Sequence, residues 1–225
     1  MQNKFEADSI RKAFGDKQVL TDIYIKCRSG DIIGLLGRNG SGKSTLLKIL
    51  YGTLYTDYKH ISVNDDIINH PFKKRGIVSF LHQDNFLPKS LTVRSVIQLF
   101  EHKTDDPEFI NDEILKKVYD TKIRNLSGGE SRYLEIKLIL SIDSQFTFLD
   151  EPFNGISPVH IELVKDMIRK HAFKKGIILT DHDYRNVLDV ANIFMILFDG
   201  GLKILKSKEE LIYWGYLPDN SLISQ

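Results

Sequence analysis

The sequence predicts an α/β protein built around a largely parallel sheet. Short apolar runs, each about the length of a buried strand, alternate with segments of helical spacing, and that alternation is typical of βαβ units. A glycine-rich loop joins one such run, Ile32–Leu36, to a helix that begins near Thr45. Before this loop the chain alternates apolar and polar residues, as in Val19–Cys27, which predicts half-buried strands in a β-rich N-terminal part.

The strands of the main sheet are predicted from runs in which nearly every residue is apolar, because a strand covered on both faces has no polar side. After Ile32–Leu36 the candidates are Ile77–Phe80, Phe146–Leu149, Gly176–Leu179 and Ile193–Leu197. Between two of them, Val159–His171 has the apolar spacing of an amphipathic helix. We therefore expect helices, placed between the strands along the chain, to pack on the faces of this sheet.

The segment 88–126 differs from the rest, because helical spacing recurs there with no strand between. Leu91–Phe100 and Phe109–Val118 carry the helical pattern, and His102–Pro107 has the composition of the loop that joins them. We therefore expect residues 1–225 to form a single domain in which this segment is an inserted helical subdomain.

Charge and composition limit the classes of protein to consider. Thirty-one Lys and Arg residues against 30 Asp and Glu give a net charge of +1, without the basic excess of a nucleic-acid-binding protein. The single cysteine, Cys27, excludes an internal disulfide and is expected to be a packed or half-exposed thiol. The N-terminus lacks the apolar core of a secretion signal, and no apolar run reaches the roughly 18–20 residues that cross a bilayer. We expect a cytoplasmic protein with no nucleic-acid partner and no membrane insertion of its own.

The stretch Gly37–Thr45 fits G-x-x-x-x-G-K-[ST], the phosphate-binding loop of nucleotide triphosphatases. Gly40 and Gly42 can take backbone angles closed to other residues, so successive N–H groups can point at phosphate oxygens. In this motif Lys43 reaches the β- and γ-phosphates and Ser44 holds Mg²⁺. The residues assigned to nucleotide binding here are Gly37, Arg38, Asn39, Gly40, Ser41, Gly42, Lys43, Ser44 and Thr45.

Two carboxylates end the apolar run that starts at Phe146. Downstream of a phosphate loop, that arrangement places Asp150 near Mg²⁺ and lets Glu151 polarise an attacking water as general base. A solvated acidic turn would carry the same residues, but the phosphate loop upstream and Pro152 directly after favour the functional interpretation.

Leu126–Glu130 reads Leu-Ser-Gly-Gly-Glu and starts a helix that continues to about Leu140. Ser127 is suited to cap that helix, and the free N–H groups of its first turn, around Gly128 and Gly129, can bind an anion. An ordinary capped helix would show the same residues. However, this string resembles the signature motif of the ATP-binding-cassette (ABC) ATPases, which lies between the phosphate loop and the carboxylate strand, as it does here.

Three further positions resemble motifs of that family. Phe14 is similar to the aromatic residue that stacks on adenine, Gln83 to the glutamine-loop residue that senses Mg²⁺ and the γ-phosphate, and His182 to the switch histidine. The resemblance extends over about Phe5–Leu211. It implies a P-loop NTPase fold of the ABC type, with a RecA-like core, an N-terminal antiparallel β subdomain and an inserted helical subdomain, and it implies ATP and Mg²⁺ as cofactors.

The resemblance also implies a mechanism and partners. ABC ATPases act as head-to-tail dimers, so Ser127 and Gly129 of one copy would contact the γ-phosphate bound at Lys43 of the other. The implied catalytic residues are Glu151, Gln83 and His182, and the implied Mg²⁺ ligands are Ser44, Gln83 and Asp150. As a single cassette, the chain is expected to drive transport through separate transmembrane subunits and to attach through them to the inner face of the cell membrane.

Two residues depart from the family pattern. Glu130 stands where transporters commonly carry glutamine, and Ser157 stands where the family usually has aspartate. The second departure weakens the expected coupling between the two ATP sites and supports a different class of protein, a nucleotide-binding regulator that hardly hydrolyses ATP. Glu151 and His182 argue for hydrolysis.

The type of ABC protein is assigned from smaller similarities. The strings around Glu151 and His182 are similar to the lipopolysaccharide-export ATPase and its branched-chain amino-acid relatives. Phe86, Leu87 and Leu91 either line a groove for a membrane partner or pack the helical subdomain. The alternative is a soluble ABC ATPase such as an iron–sulfur-cluster assembly ATPase, whose signature is similar to this one. Tyr213–Pro218 is either a docking patch or, as we expect, a folded-back tail.

Overall fold

A computed structural model describes residues 2–56, 58–100, 107–207 and 209–216. Ten strands and eight α-helices follow one another along these ranges, as β1 (Lys4–Phe14), β2 (Lys17–Arg28), β3 (Ile32–Leu36), α1 (Lys43–Tyr51), β4 (Tyr58–Val63), β5 (Asp66–Ile67), β6 (Val78–Leu81), α2 (Val93–Leu99), α3 (Pro107–Ile110), α4 (Glu113–Val118), α5 (Gly128–Ser141), β7 (Phe146–Asp150), α6 (Pro158–Ala172), β8 (Gly176–Thr180), α7 (Tyr184–Val190), β9 (Ile193–Phe198), β10 (Gly201–Leu205) and α8 (Glu210–Tyr213).

The strands form two sheets. A four-stranded sheet has the order β2-β1-β4-β5 and is antiparallel throughout. A six-stranded sheet has the order β10-β9-β3-β8-β7-β6, in which β10 alone runs antiparallel. The predicted α/β fold with an N-terminal antiparallel sheet is therefore confirmed.

The central strands of the six-stranded sheet are buried along their full length, which explains why their sequences are almost entirely apolar. Every residue of β3, β7 and β8 is buried. One core cluster lies between this sheet and helices α5, α6 and α7, and the other lies between the two sheets and α1. Phe5 of β1 meets Phe146 and Phe148 edge-to-face in the second cluster, where Cys27 is also buried. Of the two expected arrangements of this thiol, packed and half-exposed, the structure shows the packed one.

The segment predicted to be helical contains three short helices among its described residues. The second predicted helix, Phe109–Val118, is wrong as a single element, because α3 ends at Ile110 and α4 starts at Glu113. Asp112 makes this break, since its carboxylate accepts hydrogen bonds from the Ile114 and Leu115 N–H groups and so caps a new helix. Of the predicted loop His102–Pro107, residues 102–106 lie outside the described ranges. The subdomain boundaries at 88–126 and the single-domain assignment stay predictions.

The topology brings the carboxyl ends of four parallel strands to one edge of the sheet. Strands β3, β8, β7 and β6 lie side by side, with Leu81 paired to Leu149 and Asp150 paired to Thr180. Ligands of open α/β sheets bind at this edge. The phosphate loop follows β3, and Gln83, Glu151 and His182 lie in the loops that follow β6, β7 and β8.

Candidate functional site

The phosphate loop follows β3 directly and ends in the N-terminus of α1. Gly40 has φ of 78° and Gly42 has φ of 107°, in the left-handed region that side chains disfavour. A Cβ on Gly42 would also lie 2.7 Å from Cγ1 of Val19. The Leu46 N–H makes the first helical bond, to the Gly42 carbonyl, so the N–H groups of the three preceding residues have no helical acceptor. These free donors suit an anionic phosphate.

Lys43 lies beneath this loop and is 9% exposed. Its Nζ donates to the carbonyl oxygens of Gly37, at 2.8 Å, and Arg38, at 3.2 Å. Burial lowers the pKa of Lys43, while the nearby carboxylates Glu151 and Asp150 oppose that shift. The ammonium group is thus held against carbonyls of its own loop, where a phosphate oxygen can replace a carbonyl as its acceptor.

An open cleft of about 630 Å³ extends from this loop across the end of the sheet. It is lined by Phe14, Lys17, Val19, Asn39, Gly40, Gly42, Lys43, Ser44, Thr45, Gln83, Glu151 and His182. Phe14 is 51% exposed, and the Lys12 ammonium lies 4.9 Å from the centre of its ring. The cleft therefore combines an exposed aromatic ring with phosphate-loop donors and a carboxylate.

Ser44 and Asp150 form an oxygen-rich pair at the end of β7. The Ser44 hydroxyl donates to Oδ1 of Asp150 at 3.0 Å, whereas the buried Oδ2 has no hydrogen-bond partner among the described residues. Burial raises the pKa of Asp150, the Ser44 hydrogen bond lowers it, and the charge of Glu151 raises it further. A divalent cation would give the unpaired oxygen a ligand. One hydroxyl and one carboxylate beside a phosphate site fit Mg²⁺, which keeps waters and phosphate oxygens in its shell.

Glu151 has an unusual backbone conformation for a residue with a side chain. Its φ is 52°, which costs of order 1–3 kcal/mol outside glycine. Its N–H donates to the Thr180 carbonyl at 2.8 Å, and its Oε2 accepts from Nε2 of Gln83 at 3.0 Å. His182 Nδ1 lies 3.9 Å from the same oxygen. The structure thus brings Glu151, Gln83 and His182 together at the mouth of the cleft.

Asp181, which the sequence analysis did not single out, anchors the loop that carries His182. It is fully buried, and its carboxylate accepts the N–H groups of Phe153, at 2.9 Å, and Asp183, at 3.0 Å. Burial raises the pKa of Asp181, and both N–H groups lower it. His182 Nδ1 lies 3.4 Å from its Oδ1. An acidic residue between an apolar strand and the histidine was the available sequence signal.

Arg132 is the other residue that sequence reasoning missed. It is 3% exposed on α5 and donates to the backbone carbonyls of His82, Asp150 and Glu151. The signal in the sequence was weak, since a charged residue two positions after Glu130 resembles any solvated helix residue. Its partners lie in segments distant along the chain, so only the fold brings them together.

The Leu-Ser-Gly-Gly-Glu string lies outside the cleft. The Ser127 hydroxyl accepts the Glu130 N–H at 3.2 Å, and Glu130 Oε2 accepts the Ser127 N–H at 2.8 Å, a complete capping box. Gly128 is exposed, while Gly129 packs so closely that a Cβ would lie 2.9 Å from the Gly155 carbonyl. None of the three predicted signature residues, Ser127, Gly128 and Gly129, lines the cleft.

The C-terminal segment contacts the phosphate loop. The Arg38 guanidinium donates to the Gly215 carbonyl at 3.1 Å. Trp214 and Tyr216 pack against the core cluster between the six-stranded sheet and helices α5, α6 and α7. Together with Gly37, Arg38 and Ser41, these aromatics line a second cavity of about 290 Å³. The expected folded-back tail is therefore found for Trp214 and Tyr216. Tyr213 is 82% exposed and does not share this packing, and residues 217–218 lie outside the described ranges.

Proteins of known family are similar to this chain over most of its length. A family model described as ABC transporter matches residues 20–154. The lipopolysaccharide export system ATP-binding protein LptB of Acidithiobacillus ferridurans is 30% identical over 94% of this chain and 93% of its own length. The same protein of Escherichia coli (strain K12) is 32% identical over 87% of each chain. The predicted similarity to the lipopolysaccharide-export type is thus confirmed.

Solved structures show the same fold. The ATP-binding subunit of an ABC transporter aligns with a TM-score of 0.79 at 20% identity, covering 94% of this chain and 93% of that one. A nucleotide-free ATP-binding cassette aligns with a TM-score of 0.77 at 22% identity, covering 96% of each. Across the described ranges no helix has both the length and the apolarity to cross a bilayer. By its family match and its relatives, the chain is an ATP-binding ATPase of the ABC transporter family.

Proposed function

We propose that this chain is the ATP-hydrolysing subunit of an ABC transporter, and that it acts as a head-to-tail homodimer attached to separate transmembrane subunits. One observation carries the dimer. The phosphate loop and Glu151 line the cleft, whereas the exposed N-terminus of α5 at Ser127 and Gly128 lies elsewhere on the same chain. A helix N-terminus that is free to bind an anion, but remote from its own nucleotide, can complete the cleft of a second copy.

The proposed roles follow from the contacts in the cleft. Phe14 offers a ring face to adenine, and Lys43 with the first-turn N–H groups of α1 holds the phosphates. Ser44 and Asp150 would hold Mg²⁺, with Gln83 as a further ligand, and the ion neutralises charge on phosphate oxygens when bound. The pairing of Asp150 Oδ2 with a cation would also offset the cost of burying that carboxylate.

Glu151 is the proposed general base. Its carboxylate faces the cleft with Gln83 at 3.0 Å and His182 within 3.9 Å, so it can accept a proton from a water held in line with the γ-phosphate. Gln83 orients the carboxylate through its amide, and His182 faces the same oxygen from the β8 loop.

The variant Glu151→Gln tests the base. It keeps the shape of the side chain, so we expect ATP to bind, turnover to fall by about 10²–10⁴-fold, and ATP-bound dimers to accumulate. Turnover is measured by phosphate release and the dimer by sedimentation with ATP. Glu162→Gln on α6, whose side chain is 64% exposed, is the matched control and should hydrolyse at the wild-type rate. Undiminished turnover in Glu151→Gln would refute the proposed base.

The membrane partnership rests on the surface around Phe86. Leu87 is buried and Leu91 packs against the core, so two of the three predicted groove residues pack the helical segment. Phe86 is 37% exposed, its ring lies 6.4 Å from that of Phe100, and Leu99, which precedes Phe100 in the chain, is 67% exposed. This apolar surface follows the glutamine residue by three positions, so a docked helix could act on Gln83.

A pull-down of the tagged chain in mild detergent tests the partnership. We expect a multi-span membrane protein in stoichiometric amount, and we expect Phe86→Ser to lose it. Phe173→Ser, at an 84% exposed phenylalanine at the end of α6, is the matched control and should retain the partner. Recovery of soluble iron–sulfur assembly proteins instead would replace the transporter proposal with the soluble alternative and leave the ATP site intact.

A further inference from the structure

One buried guanidinium joins three parts of the nucleotide site. Arg132 lies on α5, and its side chain is 4% exposed. Its Nη1 donates to the His82 carbonyl at 2.7 Å, directly before Gln83. Its Nη2 donates to the carbonyls of Asp150, at 2.7 Å, and Glu151, at 2.9 Å. The side chain therefore fixes the backbone of two neighbouring loops, those that carry Gln83 and Glu151, without lining the cleft itself.

The charge of this guanidinium is balanced inside the protein. Arg132 Nη1 lies 3.2 Å from Oε2 of Glu135, whose side chain is fully buried. The other carboxylate oxygen of Glu135 accepts the Phe86 N–H at 3.0 Å. A buried ion pair is weak evidence of stabilisation, because apolar residues of similar volume often serve stability as well or better. The bonds to the site carbonyls are what an apolar replacement could not supply.

The carbonyl that Arg132 holds belongs to the residue in the left-handed conformation. Glu151 has φ of 52°, and its peptide groups are fixed from both sides, by its own N–H to the Thr180 carbonyl at 2.8 Å and by Arg132 to its carbonyl. A strained conformation persists only where the surroundings over-determine it. Without the guanidinium one of the two restraints is lost, and the backbone of Glu151 can relax toward an ordinary conformation.

We propose that Arg132 is a positioning residue for ATP hydrolysis, because it holds Glu151 in the backbone conformation from which its carboxylate meets Gln83. The inference rests on the proposed role of Glu151 as general base. Arginine suits this role because its planar fork can donate to several carbonyls at once and stays charged when buried. A lysine could keep the ion pair with Glu135 but would direct one point charge at carbonyls that the fork reaches separately.

Arg132→Lys is the first test. We expect kcat to fall by roughly 10- to 100-fold, since a misplacement of about 1 Å at a catalytic group costs up to 10²-fold. The KM for ATP should change by less than about threefold, because Arg132 lies outside the cleft lining. Should this variant fail to fold, the double variant Arg132→Gln with Glu135→Gln tests the same expected fall in kcat. It removes both buried charges together, so neither is left without its partner.

A double-mutant cycle with Glu151→Gln separates positioning from a general structural role. If Arg132 acts through Glu151, adding Arg132→Lys to Glu151→Gln should change the residual turnover by less than about twofold. Multiplied effects in the double variant would overturn the proposal.

Lys137→Gln is the matched control, because Lys137 forms a second buried ion pair on α5, with Asp112 at 2.5 Å. It should lower stability and leave kcat within about twofold of wild type. A wild-type kcat in Arg132→Lys, or an equal loss in Lys137→Gln, would overturn the proposal while Glu151→Gln remains inactive. Wild-type turnover in Glu151→Gln would instead refute the base assignment on which the proposal rests.

Discussion

The two glycines of the signature differ in the space around them, and that difference predicts different responses to alanine. Both lie at the start of α5. A Cβ on Gly128 would meet nothing within 4 Å, whereas a Cβ on Gly129 would lie 2.9 Å from the Gly155 carbonyl oxygen and 3.7 Å from the Ser157 nitrogen. Gly128→Ala and Gly129→Ala are therefore a matched pair, in which one added methyl group is free and the other meets backbone.

The magnitude follows from the short contact. An ordinary contact begins at about 3.4 Å, so the loop at Gly155 must move by about 3.4 − 2.9 = 0.5 Å to admit the methyl group. Overpacking of this kind costs about 1–3 kcal/mol. Alanine also favours a helix over glycine by up to about 1 kcal/mol, and this gain is similar for both variants. The difference between the two variants therefore reports the packing cost alone.

Urea unfolding of the nucleotide-free protein, followed by circular dichroism, measures both variants. We expect Gly128→Ala to be as stable as wild type or more stable by up to about 1 kcal/mol. We expect Gly129→Ala to be less stable than Gly128→Ala by about 1–3 kcal/mol, with an unchanged urea dependence of the unfolding free energy. Equal stabilities would show that the loop at Gly155 yields without cost and would refute the close-packing argument.

Two further predictions concern charge. Glu130→Gln keeps an oxygen that can accept the Ser127 N–H, but it removes a negative charge from the helix end proposed to face a γ-phosphate. Dimerisation of the Glu151→Gln protein with ATP should tighten by about 3- to 10-fold in sedimentation, and weaker dimerisation would count against the sandwich. Burial lowers the pKa of His171 from 6.5 to about 4. Between about pH 6.5 and pH 4 the unfolded state therefore binds a proton that the folded state does not bind. The contribution of His171 to the free energy of unfolding is fully present above pH 6.5 and is lost as the pH falls toward 4. Wild type should lose about 2 kcal/mol more than His171→Gln between pH 7 and pH 5 in urea unfolding, and equal losses would contradict the shift.

The parts of the site that the sequence predicted are those whose chemistry is local. The phosphate loop needs glycines, a lysine and a hydroxyl within a few consecutive residues, so its pattern is complete in Gly37–Thr45. Strand β3 runs over Ile32–Leu36 as predicted, because a fully buried strand admits only apolar residues. Strand β6 begins one residue later than predicted, since Ile77 is as apolar as the strand that follows it.

Other features depend on the fold and could not be predicted from local pattern. Strand β3 comes first of the six along the chain but lies between β8 and β9 in the sheet, and this order decides which loops meet at the cleft. The break in the predicted helix Phe109–Val118 depends on Asp112, whose carboxylate caps α4 and also pairs with Lys137 of α5. The contact of Arg132 with His82 spans 50 residues of sequence. Such contacts leave no periodic signal along the chain.

In the proposed dimer, helix α5 links two roles that belong to different nucleotide sites. Its N-terminus, capped by Ser127, is the part proposed to bind the γ-phosphate of the partner copy. One turn later, Arg132 of the same helix holds the carbonyl of Glu151, the proposed base for the nucleotide of its own copy. In the proposed dimer, a displacement of the α5 N-terminus toward the partner's ATP that is carried along this helix of 14 residues would also displace Arg132. Coupling between the two proposed sites can therefore run through α5 and Glu151. Ser157, which stands where the family usually has aspartate, lacks the charge of that residue.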